Sequence, residues 1–252
     1  MFGKRELIFD FASASWIGRR TEQQDMVSVV GASRSRGLAI VADGVGGQAG
    51  GRLAAECVVS AVEASMDLDC EDPRLGLLNT FKAATNALSG LKSRNPDISS
   101  AATTLLAVFV RDDELFWASV GDSPLALVRR GKLKRLNADH SMRAALEKLV
   151  EKRLISAEDV RNDPRRNTLT ASMNGAPPKL LDISKKPLIL KPGDIVLAAS
   201  DGLFTLEDAE IEAACSSPKF SADDISKTLI NLCDAKADPD QDNTTVVSIA
   251  AS

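Results

Sequence analysis

The alternation of apolar and polar positions divides this chain into short strand-like and helical segments. Gly37-Leu38-Ala39-Ile40-Val41-Ala42 is a branched apolar run with the length of a buried strand, and it ends on Asp43-Gly44-Val45-Gly46-Gly47. Residues 52–62 follow with apolar side chains at helical spacing among good helix formers. An aspartate is thus delivered off a buried strand into glycines that permit close backbone approach. Residues 7–14 and 26–32 read as two further strands, joined by the polar stretch 15–25. Asp72-Pro73 opens a helix, with an N-cap aspartate before a first-turn proline. Its expected buried stripe is Leu75, Leu78, Phe81, Leu88 and Leu91, and Asn95-Pro96 ends it.

Residues 103–110, 115–120 and 125–129 are strands with tight polar breaks between them, a pattern that implies antiparallel pairing. Residues 139–152 turn helical, with Met142, Ala145, Leu146, Leu149 and Val150 on one face, and Ser156 to Asp159 has the form of a helix cap. Residues 161–179, charged and punctuated by prolines, are expected to be a mobile surface element. Strands return at 188–190, 195–199 and 244–250, with helices at 206–215 and 221–234 between them. No repeat and no linker divides the chain, so a single domain over 1–252 is expected.

Composition narrows the chemistry. With 44% apolar residues the chain can bury a large core, and a net charge of -4 argues against nucleic acid or an anionic membrane as partner. No apolar run has the length of a signal peptide or membrane span, so a cytoplasmic protein is expected. Cys57, Cys70, Cys215 and Cys233 lack metal-ligand spacing, and one histidine, His140, cannot build a multi-histidine zinc site. A cysteine phosphatase needs an arginine six positions after its nucleophile; Glu63, Gly76, Ser221 and Pro239 stand there instead.

Acids gather at strand ends. Besides Asp43, Asp25 precedes the 26–30 run, Asp122 follows Gly121 after the 115–120 run, Asp201 follows Ser200, and Asp242-Asn243 opens the last strand. Any one alone is an ordinary turn residue; five in that position is a pattern, although spacing does not establish that they converge. Converging carboxylates about 4 Å apart would repel by roughly 4 kcal/mol per pair at a surface-like dielectric. Hard divalent cations remove that penalty, and an all-oxygen donor set favours Mg²⁺ or Mn²⁺ over zinc.

These motifs, in order, resemble those of the metal-dependent serine/threonine protein phosphatases of the PP2C (PPM) family, bacterial type. Arg20-Thr21-Glu22-Gln23-Gln24-Asp25 is similar to the family's arginine-then-acid motif, and Asp43 to Gly47 to its Asp-Gly-x-Gly-Gly. Gly121-Asp122-Ser123 through Asp139-His140-Ser141, then Gly193-Asp194 with Ser200-Asp201-Gly202-Leu203, and finally Asp242 to Val246, resemble the remaining motifs nearly end to end.

The resemblance implies an α/β (α+β) fold, a four-layer αββα sandwich of two packed antiparallel sheets flanked by helices, with metals at one end. It implies hydrolysis of phosphoserine and phosphothreonine in proteins by a metal-bridging hydroxide, opposing a bacterial serine/threonine kinase. Two tight Mn²⁺ or Mg²⁺ ions and a third, weaker one would be held. Asp43 would bridge the two tight ions with the Gly44 carbonyl beside it, Asp201 and Asp242 would complete the shell of the first ion, and Asp25 would hold metal-bound water. Asp122 would serve the third ion together with Asp201, and Arg20 would bind the substrate phosphate through its planar fork. Residues 141–178 would form the bacterial flap beside the site, and a monomer is expected. Val45 stands where eukaryotic members carry a histidine, Gln24 replaces a glutamate, Pro124 replaces an arginine, and Ala171-Ser172-Met173-Asn174 departs from an Arg-Ala-Leu-Gly-like stretch. His140 is expected to be structural.

Two other readings compete. Gly44-Val45-Gly46-Gly47-Gln48-Ala49 fits a loose dinucleotide fingerprint after a strand and before a helix. A catalytically inactive relative serving as a binding module is the other, though such a protein has no need to keep mutually repelling acids.

Overall fold

The computed structural model describes residues 6–46, 48–217 and 221–252; Gly47 of the glycine run lies outside them. The chain runs β1 (Phe9–Trp16), β2 (Asp25–Val30), β3 (Arg36–Val45), α1 (Gln48–Ser65), α2 (Pro73–Arg94), β4 (Ala102–Thr103), β5 (Leu105–Arg111), β6 (Glu114–Val120), β7 (Leu125–Arg129) and β8 (Lys132–Arg135). It continues through α3 (Met142–Glu151), α4 (Ala157–Asn162), β9 (Asp182–Ile183), β10 (Leu188–Ile189), β11 (Ile195–Ala199), α5 (Asp208–Ala214), α6 (Ala222–Ala235) and β12 (Thr244–Ala251).

One sheet has the order β1-β12-β11-β7-β8; the other has β10-β6-β5-β3-β2, with β4 beside β3 and β9 beside β6. Side chains alternate across each strand, so a strand sandwiched between layers feeds two cores. Leu38, Ile40 and Ala42 of β3 pack with Val58, Leu77 and Phe81 of the helices, while Ala39 and Val41 pack with Val196 and Val247 of the opposite sheet. On the far side Ile195, Leu197 and Ala199 of β11 meet Ile225, Leu229 and Cys233 of α6. Three cores therefore separate four layers, helix-sheet-sheet-helix, and the expected αββα sandwich is found. Coverage on both faces is why β3 and β11 read as continuous apolar runs instead of alternating ones.

Several expectations need correction. The 103–110 strand breaks at Thr104, because β4 pairs with β3 while Thr104 turns its hydroxyl toward the backbone of Asp43. Helix α1 starts at Gln48, earlier than residue 52. The buried stripe of α2 runs through Leu77, Phe81, Ala84 and Leu88, and Leu75 is 51% exposed. That stripe keeps i, i+4, i+7 and i+11 on one face, which Leu75 does not share. On α3 only Leu146 is buried and Ala145 is exposed. The 161–179 stretch is not surface throughout: Ala171 and Met173 are buried in the helix-side core, and Met173 exchanges backbone hydrogen bonds of 3.0 and 2.8 Å with Thr103. Among the described residues every strand pair is antiparallel, so the βαβ unit that a dinucleotide fingerprint requires is absent there. Among those residues no helix is long and apolar enough to cross a membrane.

Candidate metal centre

Antiparallel register explains how acids so distant in sequence meet. In adjacent antiparallel strands the start of one lies beside the end of the next. Asp25, first in β2, is directly opposite Asp43 near the end of β3. Ala199, last in β11, is opposite Val246 near the start of β12, so Asp201 and Asp242 leave and enter at the same rim. Val120, last in β6, faces Leu105, first in β5, and brings Asp122 to that rim as well. Trp16 at the end of β1 pairs with Thr244, which places the following Arg20 there too.

The rim encloses a cleft of about 550 Å³ whose walls include Arg20, Asp43, Gly44, Val45, Asp122, Asp201 and Asp242. Asp25 and Asp122 are buried, and Asp43, Asp201 and Asp242 are half-buried. Loss of surrounding water raises Asp43 well above the usual carboxylate range, and the charges of Asp201, Asp25, Asp122 and Asp242 raise it further. Asp43 is therefore the electrostatic centre of the group. Burial pushes Asp25 up to about 7, against partial relief from hydrogen bonds with Ser200 and Thr245. Asp122 rises to about 7, first by burial and then by the charge of Asp201. Asp201 rises to about 6 through burial and Asp242, and it shares a side-chain hydrogen bond with Asp43.

Other residues fix these acids, and sequence reasoning did not single them out as such. The Asp43 N–H donates to Thr104 Oγ1 at 2.9 Å, the Asp43 carbonyl accepts from Thr104 N–H at 2.8 Å, and the Thr104 hydroxyl lies 2.7 Å from Ser123 Oγ beside Asp122. Ser200 Oγ donates to Asp25 Oδ2 at 2.6 Å and accepts from Thr245 N–H at 2.9 Å, tying the two sheets together at the rim. The buried Gln241 carboxamide donates to the Gly202 carbonyl at 3.1 Å and to Thr244 Oγ1 at 2.9 Å, and accepts from Thr205 at 2.6 Å. It holds the Asp201 turn against the Asp242 loop. Ser-Asp-Gly and Gln-Asp-Asn spell these positions, but only the fold reveals the partners.

Two glycines are dictated by close approach. A Cβ on Gly44 would lie 2.3 Å from the Gly51 carbonyl oxygen, and one on Gly18, at φ +65, would lie 2.4 Å from the Asp242 carbonyl oxygen. Gly18 thereby lets Arg19 and Arg20 dock on the Asp242 loop, where Arg20 Nη2 donates to Asp242 Oδ2 at 2.8 Å. His140 is structural, as expected: its Nδ1 accepts from Gly121 N–H at 3.2 Å and its own N–H donates to the Gly121 carbonyl at 3.1 Å. Asp194, part of a resembling motif, lies away from the site, its carboxylate gripped by both arms of Arg129 at 2.8 and 2.5 Å.

The donor set suits hard divalent ions. Asp25 Oδ1 is buried without a hydrogen-bond partner, an arrangement costly for a carboxylate unless a cation shares it. Among the described residues no three acidic, histidine or cysteine side chains form a closed shell around one point. The acids are held elsewhere: Asp201 with Asp43, Asp242 with Arg20, Asp25 with Ser200. The mutual electrostatics carry more weight here, since carboxylates this crowded rearrange around an ion that offsets their repulsion.

Comparison with known proteins agrees with this geometry. The sequence model described as protein phosphatase 2C matches residues 14–222. The serine/threonine phosphatase stp of Listeria innocua is 27% identical over 84% of this chain and 83% of its own length. A structure of the Streptococcus agalactiae serine/threonine phosphatase superposes with a TM-score of 0.83 at 28% identity, covering 96% of this chain and 99% of that one. The catalytic domain of the phosphatase PstP, solved in complex with two manganese ions, superposes with a TM-score of 0.78 at 27% identity, covering 97% and 99%. The chain belongs to the protein phosphatase 2C family.

Proposed function

We propose that this chain is a metal-dependent phosphatase that hydrolyses phosphoserine and phosphothreonine in proteins, opposing a serine/threonine kinase in the cytoplasm and acting as a monomer. The observation that carries this reading is the crowded ring of acids around Asp43, with one Asp25 oxygen buried without a partner. Asp43, the Gly44 carbonyl, Asp201 and Asp242 would hold two Mn²⁺ or Mg²⁺ ions with Asp25 behind them, and Asp122 with Asp201 would serve a weaker third. Bound there, such ions generate a nucleophile from water near neutral pH and neutralise phosphoryl oxygens.

The chain's own residues do the rest. Arg20 lines both the cleft and the groove beside it, and its fork suits two phosphate oxygens. Thr104 and Ser200 keep Asp43 and Asp25 from turning away, so that positioning is set before substrate arrives. Val45, 37% exposed on the cleft wall, has no proton to give, so protonation of the leaving oxygen falls to the Asp122 side. The flap over residues 141–178 borders the adjoining groove of about 990 Å³ through Arg143, Arg161 and Arg166, which supports a role in choosing protein substrates. An assay on a phosphothreonine peptide and an aryl phosphate, with and without Mn²⁺, tests the reading. No turnover of either with Mn²⁺ present would leave the binding-module reading.

A further inference from the structure

Phe204 sits in the turn Asp201–Thr205, 38% exposed, and joins none of the three cores although Leu203 and Leu206 beside it do. Two guanidinium groups cover its ring instead: Arg143 at 4.2 Å and Arg135 at 5.6 Å from the centroid. Both distances are within the range of cation–π attraction. The two arginines come from different elements, and each leads to one of the acids. Arg135, on β8, donates to Asp139 Oδ2 at 3.0 Å and to the Asp122 carbonyl at 2.7 Å. Arg143, on α3, donates through Nη2 to Asn167 Oδ1 at 2.7 Å and through its backbone N–H to the Arg166 carbonyl at 2.8 Å. It therefore joins the outgoing and returning limbs of the flap. Its charge also reaches the cleft, where it lowers Asp122 and Asp201 against their burial. The stacked groups stand between the groove of about 990 Å³ and an apolar pocket of about 360 Å³ floored by Leu197, Leu203 and Ile211.

We propose that Phe204 is a positioning residue. Its ring latches the flap, through Arg143, onto the turn that carries Asp201, and so fixes where the groove opens relative to the acid cleft. This rests on the reading that the flap presents protein substrates to that cleft, and the latch itself can be measured without any turnover. At this partly open position leucine keeps the apolar bulk and so costs the fold little, while the loss of a stacked cation frees the element that carried it.

The test is amide hydrogen exchange on the full chain, comparing wild type with Phe204→Leu, Phe204→Tyr, Arg143→Gln and the Leu–Gln double variant. Leucine keeps the apolar bulk and removes the ring face; tyrosine keeps the face. The amides of α3 should exchange about 5- to 30-fold faster in Phe204→Leu, with β11 and α5 unchanged and Phe204→Tyr matching wild type. Arg143→Gln, which also gives up the Asn167 bond, should accelerate α3 at least as much, and the double variant no more than Arg143→Gln alone. In turnover, Phe204→Leu should raise KM for a phosphopeptide more than it lowers kcat. Wild-type exchange of α3 in Phe204→Leu, equal acceleration in β11, or additive effects in the double variant would each overturn the latch. An intact latch in a chain without phosphatase activity would instead fault the functional reading alone.

Discussion

Arg20 and Asp242 are joined by a 2.8 Å ion pair across the mouth of the cleft, a residue expected to take phosphate held by an acid expected to hold metal. Both side chains are about half open to solvent, at 55% and 44%, so the pair itself contributes little to stability. Its interest lies in placement, since it parks the fork proposed to bind phosphate at the edge of the acid ring.

Removing that fork should therefore weaken substrate binding without unfolding the chain. Arg20→Ala should raise KM more than it lowers kcat, with a loss on the order of 1.5–3 kcal/mol for one charge-assisted contact. Steady-state kinetics on a phosphothreonine peptide checks this. An unchanged kcat/KM would make Arg20 only the surface partner of Asp242.

The acids also predict how stability responds to pH when divalent ions are chelated. Burial pushes Asp25 and Asp122 up to about 7 and Asp201 up to about 6, so between the ordinary carboxylate range and about 7 the folded chain holds protons that the unfolded chain has released. Stability should then fall as pH rises through that window, by about 1.4 kcal/mol per unit for each proton held. His140, which burial lowers, acts in the opposite sense below its ordinary value, but as one group against four, since burial and its acidic neighbours raise Asp43 as well. Thermal melts in EDTA should give a higher Tm at pH 5.5 than at pH 8, and saturating Mn²⁺ should reduce the difference. A Tm that rises from pH 5.5 to 8 in EDTA would contradict the crowding of these acids.

Much of this was legible in the sequence, for identifiable reasons. The apolar runs of β3, β7 and β11 survive in the structure because both faces of each strand are covered, so every residue had to be apolar. The five acids were legible because each abuts an apolar strand run, and Gly or Ser marks the break beside Asp43, Asp122 and Asp201. Antiparallel parity could have hinted at convergence, since Asp25 and Asp242 open strands whose partners close on Asp43 and Asp201. The break at Thr104 was not legible, because Thr103 and Thr104 fit a strand by propensity and only the contact with Asp43 divides it. Ser200 was read only as the neighbour of Asp201, and Gln241 was not singled out; their work is done by bonds to residues about 175 and 39 positions away. The stripe of α2 was right at Phe81 and Leu88 and wrong at its start, because leucines at 75, 77 and 78 offer two helical phases and packing against α1 and β6 chose Leu77.

Asp122 should matter for turnover and little for assembly of the centre. It lies on the loop held by Arg135 and His140, and its charge neighbours in the ring are Asp201 and Asp43. Asp122→Ala should lose kcat by about 10²–10⁴, the usual scale of proton-transfer help, and still bind two Mn²⁺ per chain by calorimetry. Failure to bind tight metal would place Asp122 among the principal ligands. Wild-type kcat would make it a turn residue.

The flap arginines should sort substrates by size. Arg161 and Arg166 line the groove, whereas Arg165 is paired with Asp163 at 2.8 Å on the surface. Arg161→Ala with Arg166→Ala should lower kcat/KM on phosphopeptides several-fold and spare a small aryl phosphate, and Arg165→Ala should do neither. Equal losses on both substrates would give these arginines a role in the chemistry.

The central claim is that the acid ring around Asp43 works only when divalent cations occupy it. The direct measurement strips the protein with EDTA, follows phosphate release from a phosphothreonine peptide, and titrates Mn²⁺ back while calorimetry counts the ions bound. Turnover should vanish in EDTA and return as two ions bind each chain, and Asp43→Asn should prevent both the tight binding and the recovery. Full turnover in excess EDTA, or full recovery in Asp43→Asn, would contradict it.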